Sequence, residues 1–264
     1  MQSSTIETKR GIKVHVREAG SGEALLFLHG AGGLFAENPF LNKLAERYRV
    51  IAPEWPGYGE STGEERLEDM LDFTLHAWDV ADTLGLERPV LMGHSMGGMI
   101  AAEMACLEPG RPSKLVLVCP AGLWIEEHPI PDLFSMLPHE LPEVLAHDPA
   151  VAMKLLAAGG VPDFNDIEVL KQFLIVNARQ LGTAGKILFP IPNRRLSKRL
   201  YRLRVATQIL WGESDKLIIP LYADRWKELV PHAEIVKIGE AGHLLPYEQE
   251  SQFTDAVCAF LATA

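Results

Sequence analysis

One pentapeptide constrains this chain more than any other feature: Gly93-His94-Ser95-Met96-Gly97, followed by Gly98. It stands between a compact apolar run at 89–92 and a helix-patterned stretch at 99–108. A GxSxG motif in that context reads as a nucleophile elbow, a sharp strand-to-helix turn that lifts the serine hydroxyl above the edge of a sheet. The flanking glycines are required because larger side chains would collide in such a turn. The helix that follows turns its positive end toward the same point.

The rest of the sequence repeats the strand-then-helix rhythm. Residues 13–18 alternate and read as an edge strand. Runs at 24–28, 48–52, 90–92, 114–118 and 208–211 are rich in Leu, Val and Ile, as strands buried on both faces of a parallel sheet should be. Residues 233–238 fit a last strand. Helical patterns lie between them at 40–47, 68–84, 96–108, 221–229 and 249–261, with Gly85 as a helix stop. This alternation implies an α/β protein with helices on both faces of a mostly parallel sheet. The rhythm breaks between Pro120 and Arg204, where prolines are dense and no buried strand is visible. Short helices are expected there at 131–136, 142–146, 151–157, 167–179 and 196–203. Residues 120–204 are therefore read as a helical cap inserted into a core built from 1–119 and 205–264. The end of that insertion is basic, with Arg194, Arg195, Lys198, Arg199, Arg202 and Arg204. Spacings of three and four put several of these on one helix face, either solvated or paired with core acids, or steering an anionic substrate.

Composition excludes several function classes. The 264 residues carry 35 acidic and 25 basic side chains, a net charge of −10. That opposes general nucleic-acid binding, which needs a positive surface. Cys106, Cys119 and Cys258 are odd in number and form no CxxC pair, so neither a disulfide framework nor a structural zinc site is expected. They read as small buried hydrophobes. His139-Glu140 lacks a second histidine four residues after the first, and no phosphate-binding GxxxxGK[ST] occurs. No metal and no cofactor are expected. The first residues lack the apolar stretch of a signal peptide. The longest apolar run, near 115–125, is too short to span a bilayer, so a cytoplasmic protein is the expectation.

A serine needs a base and an orienting carboxylate, in the chain order serine, acid, histidine. Asp215 lies in Trp211-Gly212-Glu213-Ser214-Asp215, just after a strand-like run. Glu213 and Asp224 are its competitors. His243 follows the last strand in Gly239-Glu240-Ala241-Gly242-His243. Ser95, Asp215 and His243 are thus the expected catalytic residues. Acyl transfer also needs donors for an oxyanion. His29-Gly30-Ala31-Gly32-Gly33 follows the strand at 24–28, and the backbone amides of Ala31 and Met96 are the expected donors. His29 is expected to hydrogen-bond this loop. Gly30, Gly32, His94 and Leu244 are candidates for substrate contact. Pro56-Gly57-Tyr58-Gly59-Glu60-Ser61 reads as a packing turn near the same sheet edge. Leu133, Phe134, Met136, Leu137, Phe164 and Phe173 suit either an apolar pocket or ordinary helix packing.

Taken together these motifs resemble the α/β-hydrolase superfamily over nearly the whole chain. The resemblance rests on the His29-Gly30 loop, the glycine loop at 56–61, the elbow, the WGxxD acid and the Gly242-His243 pair. It implies an eight-stranded, mostly parallel sheet with a helical cap after the sixth strand. Haloalkane dehalogenases and epoxide hydrolases of this fold usually carry aspartate at the nucleophile position, so Ser95 points to esters, thioesters or C–C bonds in reactive diketones. The C–C hydrolases of aromatic degradation commonly carry an HGGGPG-like loop and a tryptophan after the histidine. Here the loop reads HGAGG and Leu244 follows His243. The expectation is a serine carboxylesterase, monomeric or homodimeric, acting on a small-molecule ester. The alternatives are a C–C bond hydrolase on vinylogous diketones and a weakly hydrolytic ligand-binding protein.

Overall fold

A computed structural model describes residues 1–156, 165–188 and 193–263. The architecture is α/β. Eight strands form one sheet in the order β1-β2-β4-β3-β5-β6-β7-β8. These are β1 (Gln2–Glu7), β2 (Lys13–Ala19), β3 (Ala24–Leu28), β4 (Arg49–Pro53), β5 (Val90–His94), β6 (Leu115–Val118), β7 (Thr207–Gly212) and β8 (Glu234–Ile238). The pairs β1/β2 and β2/β4 are antiparallel, and all others are parallel. Residues 13–18 are therefore not the edge strand: β1 lies outside them. Gln2–Glu7 is exposed along nearly its whole length, so it carries no apolar signal to read.

The central strands are the apolar ones for a physical reason. Helices cover both faces of the parallel part, so every residue of β6 and β7 is buried. The helices of this layer are α1 (Pro39–Leu44), α2 (Met70–Thr83), α3 (Met96–Leu107), α7 (Leu221–Leu229), α8 (Leu245–Glu248) and α9 (Glu250–Leu261), with α4 to α6 lying in the insertion described below. Asp69 caps α2, its carboxylate accepting from the Leu71 and Asp72 amides. α3 is buried on nearly all sides, from Met96 to Cys106.

Among the described residues a 3-10 turn at Glu64–Arg66 precedes α2, and the other remaining helical elements fall between β6 and β7. They are α4 (Leu141–Leu145), α5 (Pro149–Leu156), α6 (Ile167–Leu188) and two 3-10 turns, Leu196–Lys198 and Leu200–Arg202. Three expectations change here. Residues 131–136 form turns rather than a helix, with Asp132 accepting from the amides of Phe134 and Ser135. Residues 196–203 make two short 3-10 turns instead of one α-helix, breaking at Arg199. The helix expected at 167–179 runs on to Leu188. Ala157 and Phe164 lie outside the described residues. Arg199 leaves the basic run to grip Glu103, a buried carboxylate of α3, with its Nε and Nη2. Arg202 donates to the Cys106 carbonyl at 2.6 Å. Part of the basic run thus pins the insertion to the sheet layer.

Candidate active site

The C-terminal ends of β3, β5, β7 and β8 bring four loops to one edge of the sheet, the place where open α/β sheets bind ligands. Ser95 stands between β5 and α3 with φ 55 and ψ −116. A non-glycine residue in that region costs about 1–3 kcal/mol and persists only when its surroundings impose it. They do so here. The Ser95 amide donates to Val118 at 2.9 Å, and its carbonyl accepts from Met99 at 3.1 Å and Ala121 at 3.0 Å.

Asp215 sits in the turn after β7. Its Oδ1 accepts from the amides of Leu217 at 2.9 Å and Ile218 at 2.8 Å. Its Oδ2 meets His243 Nδ1 at 2.8 Å, and both side chains are buried. Trp211 closes the same turn, its indole N–H donating to the Ile218 carbonyl at 2.8 Å. The turns carrying the acid and the histidine are packed backbone on backbone: a methyl group on Gly212 would strike the main chain of Ala241 and Gly242. The competitors lie elsewhere. Asp224 pairs with Lys237, and Glu213 is exposed.

His94 links the elbow to His243. Its Nε2 lies 2.7 Å from the His243 carbonyl, and the two rings are 5.0 Å apart. A carbonyl only accepts, so Nε2 carries the proton. Desolvation first, and the neighbouring His243 second, hold His94 down to about 3, and it stays neutral. The Cys119 Sγ lies with the Asp215 and His243 donor atoms in one buried cluster, within 4.8 Å of one another. Burial first, and then the Asp215 charge, push its thiol well up, so it is no nucleophile at neutral pH.

The loop after β3 faces Ser95: a methyl on Gly30 would stand 3.2 Å from Ser95 Cβ. His29 Nε2 accepts from the Trp55 amide at 3.1 Å, so Nδ1 holds the proton and donates to the Gly30 carbonyl at 2.7 Å. Burial holds His29 down to about 4.

An apolar slot of about 60 Å³ opens at Ser95. Ala31, Met99, Leu217 and Ile218 line it from the sheet side, and Trp124, Ile130, Leu133, Phe134, Ile187 and Leu188 from the insertion. Arg194 is the one charged lining residue among those described, and it also donates to the Ile187 carbonyl at 2.7 Å. Of the cap residues named from sequence, Leu133 and Phe134 reach the slot. Leu137 and Phe173 are exposed, and Met136 is not among the lining residues. Phe164 lies outside the described residues. Nor do Gly30, Gly32, His94, Leu244 or Met96 line it. Leu244 is buried instead beside Ala146 and Ala152. Leu217 and Ile218 escaped the sequence reading, since nothing local marks them as neighbours of Ser95, whereas Arg194 was named there as one of a basic run.

The fold and site define a class: an α/β scaffold with a strained serine at the elbow and a buried acid–histidine pair whose histidine carbonyl meets the ring of His94, the residue before that serine. A family model described as the alpha/beta hydrolase family matches residues 25–257, and the chain belongs to that family. It is similar to the 2-hydroxy-6-oxo-6-phenylhexa-2,4-dienoate hydrolase of Burkholderia cepacia, 29% identical over 273 residues, covering 95% of this chain and 91% of that one. It also resembles the 2-hydroxy-6-oxononadienedioate/2-hydroxy-6-oxononatrienedioate hydrolase of Comamonas testosteroni, 27% identical with the same coverages, 95% and 91%. Among solved structures, the meta-cleavage product hydrolase CumD of Pseudomonas fluorescens IP01 superposes with a TM-score of 0.78 at 21% identity, over 98% of this chain and 97% of that one. The esterase EaEST of Exiguobacterium antarcticum gives 0.72 at 22%, over 99% and 100%. Among the described residues no helix is long and apolar enough to cross a membrane.

Proposed function

We propose that this protein is a serine hydrolase that cleaves carboxylic esters of small to medium acyl groups. The observation that carries the reading is the Asp215–His243 hydrogen bond, joined through His94 to the elbow of a strained Ser95 that lines an apolar slot. Ser95 Oγ attacks the ester carbonyl carbon as His243 takes its proton. Asp215 holds Nδ1–H and so leaves Nε2 as the base. The Ala31 and Met96 amides receive the oxyanion, the bond from the acyl carbon to the alkoxy oxygen breaks as the carbonyl re-forms, and His243 protonates the departing alcohol. Water then attacks the acyl carbon as His243 takes its proton, the acyl C–Oγ bond breaks, and His243 returns the proton to Ser95. Residues 120–204 act as the cap: their apolar side chains contact the acyl group and set its length.

A second reading places the same machinery on a C–C bond. It is favoured by the similarity to the two dienoate hydrolases and by Arg194, a cation at a slot that could receive a substrate carboxylate. Purified protein offered p-nitrophenyl esters of rising chain length beside one yellow vinylogous diketone separates the two. Ester turnover with a chain-length optimum is expected. Replacing Ser95 by Ala should lower the rate about 10⁴-fold or more. Equal activity in wild type and S95A removes the mechanism, and bleaching of the diketone with inert esters moves the assignment to the C–C bond.

A further inference from the structure

The glycine loop at 56–61 packs its tyrosine into the chemistry rather than only into the core. Tyr58 is buried, and its hydroxyl donates to the Ala31 carbonyl at 2.9 Å. Its ring stands edge-on to His29, with centroids 4.8 Å apart. The preceding carbonyl, that of Gly30, is held by His29 Nδ1 at 2.7 Å and by the Gly33 amide at 3.1 Å. A peptide group is planar and trans, so its C=O and N–H point in opposite directions. Holding the Gly30 oxygen therefore aims the Ala31 N–H the other way. Holding the Ala31 oxygen fixes the next plane. Ala31 lies between two peptide planes, each tied down by a buried ring, and it lines the slot beside Ser95.

We infer that Tyr58 is a positioning residue that fixes the oxyanion loop through the Ala31 carbonyl. This rests on the serine-hydrolase reading only in taking Ala31 N–H as an oxyanion donor. A preorganised donor contributes to catalysis because it does not have to reorient as charge develops. Freed on one side, the Ala31 peptides sample other orientations, and the transition state loses more than the ground state does.

Tyr58→Phe removes the hydroxyl and keeps the ring. Losing an oxyanion donor outright costs about 10²–10³ in kcat, so loosening one should cost roughly 3–30-fold. KM should stay within about twofold, because slot contacts are untouched. Phosphonylation of Ser95 by a fluorophosphonate is the second readout. Oγ bonds to phosphorus, fluoride leaves, His243 takes the serine proton, and the P–O oxygen occupies the oxyanion site. Its rate constant should fall by a factor matching kcat. It needs no knowledge of the natural substrate, so it decides the inference even if the ester assignment fails. Tyr247→Phe is the control. Tyr247 is half-buried, and its hydroxyl donates to Asn38 Oδ1 at 2.7 Å rather than to the 30–33 turn. It should leave kcat and labelling within about twofold, whatever either variant does to melting. An unchanged labelling rate in Tyr58→Phe overturns the inference. So does an equal loss in both variants, which would show a generic effect of removing a buried hydroxyl. Labelling absent from wild type and S95A alike would instead sink the serine-hydrolase reading, and with it the role given to Ala31.

Discussion

The elbow and the insertion are held by different means. Around Ser95 the contacts are backbone on backbone. A methyl group on Gly97 would strike the Leu28 and His29 carbonyls, and one on Gly93 would strike the main chain of Gly97 and Gly98. In α6, by contrast, Thr183, Ala184 and Ile187 are the buried residues among those described, and Ile167, Leu174, Val176 and Leu181 are exposed. Side-chain anchors hold this helix instead. Arg179 pairs with Glu64 at 2.8 Å, and Lys186 donates to the Glu64 and Leu67 carbonyls. Backbone contact leaves no room for substitution, whereas a few anchors leave most of a helix free to vary. The site thus combines a sheet edge of fixed geometry with a helix whose outer face can change.

The largest expected contrast is with pH. His29 and His76 are buried and held at about 4 by desolvation, and both lie outside residues 120–204. Their folded values are below the ordinary 6.5, so the unfolded chain binds more protons between the two. The stability they contribute is complete above about pH 6.5 and is lost as pH falls toward 4. Two such groups give a slope of about 3 kcal/mol per pH unit in that window. His94, held still lower, acts in the same direction. Denaturant midpoints should therefore drop steeply between pH 6.5 and 4.5, and His76→Phe should flatten the slope. A flat profile would show that the buried imidazoles gain protons without unfolding, and the rigid region would be softer than the contacts imply.

Next in size is Gly97→Ala. The new methyl has only main-chain atoms to displace, Leu28 O first. Overpacking against backbone should cost about 3 kcal/mol. A denaturant midpoint within error of wild type would mean that α3 can slide relative to β3, and the contrast with the insertion would fail.

What was legible in the sequence follows the same division. The elbow, the parallel strands and α7 at Leu221–Leu229 carry local signals, because buried strands are uniformly apolar and the turn needs glycine. Asp215 and His243 were found through chain order, and the structure places them in hydrogen-bond contact. β1 was missed because an exposed edge strand has no apolar face. The helix expected at 131–136 is a turn segment, since the Asp132 carboxylate accepts from the Phe134 amide and competes with helix formation. The slot walls were only half legible. Leu133 and Phe134 line the slot while Phe173 is exposed, and helical periodicity says nothing about which neighbour a face meets. Tyr58 looked like part of a packing turn because its partner, Ala31, lies 27 residues away.

The smallest effect tests the freedom of the insertion from the opposite side. Gly182 lies within α6, is exposed, and a methyl group there would meet nothing within 4 Å. Glycine inside a helix costs roughly 0.5–1 kcal/mol relative to alanine, through the freedom it keeps in the unfolded chain. Gly182→Ala should therefore stabilise the protein by about that amount, where the same substitution at Gly97 destabilises it several-fold more. The paired measurement is denaturant unfolding of both variants, with p-nitrophenyl ester turnover read alongside. A stabilised G182A with unchanged turnover shows that α6 unfolds with the sheet while its outer face stays free of the chemistry. No gain in the main transition would mean that α6 unfolds before the sheet. The anchors at Arg179, Lys186 and Arg199 would then hold a unit that can open separately, exposing the apolar wall over Ser95.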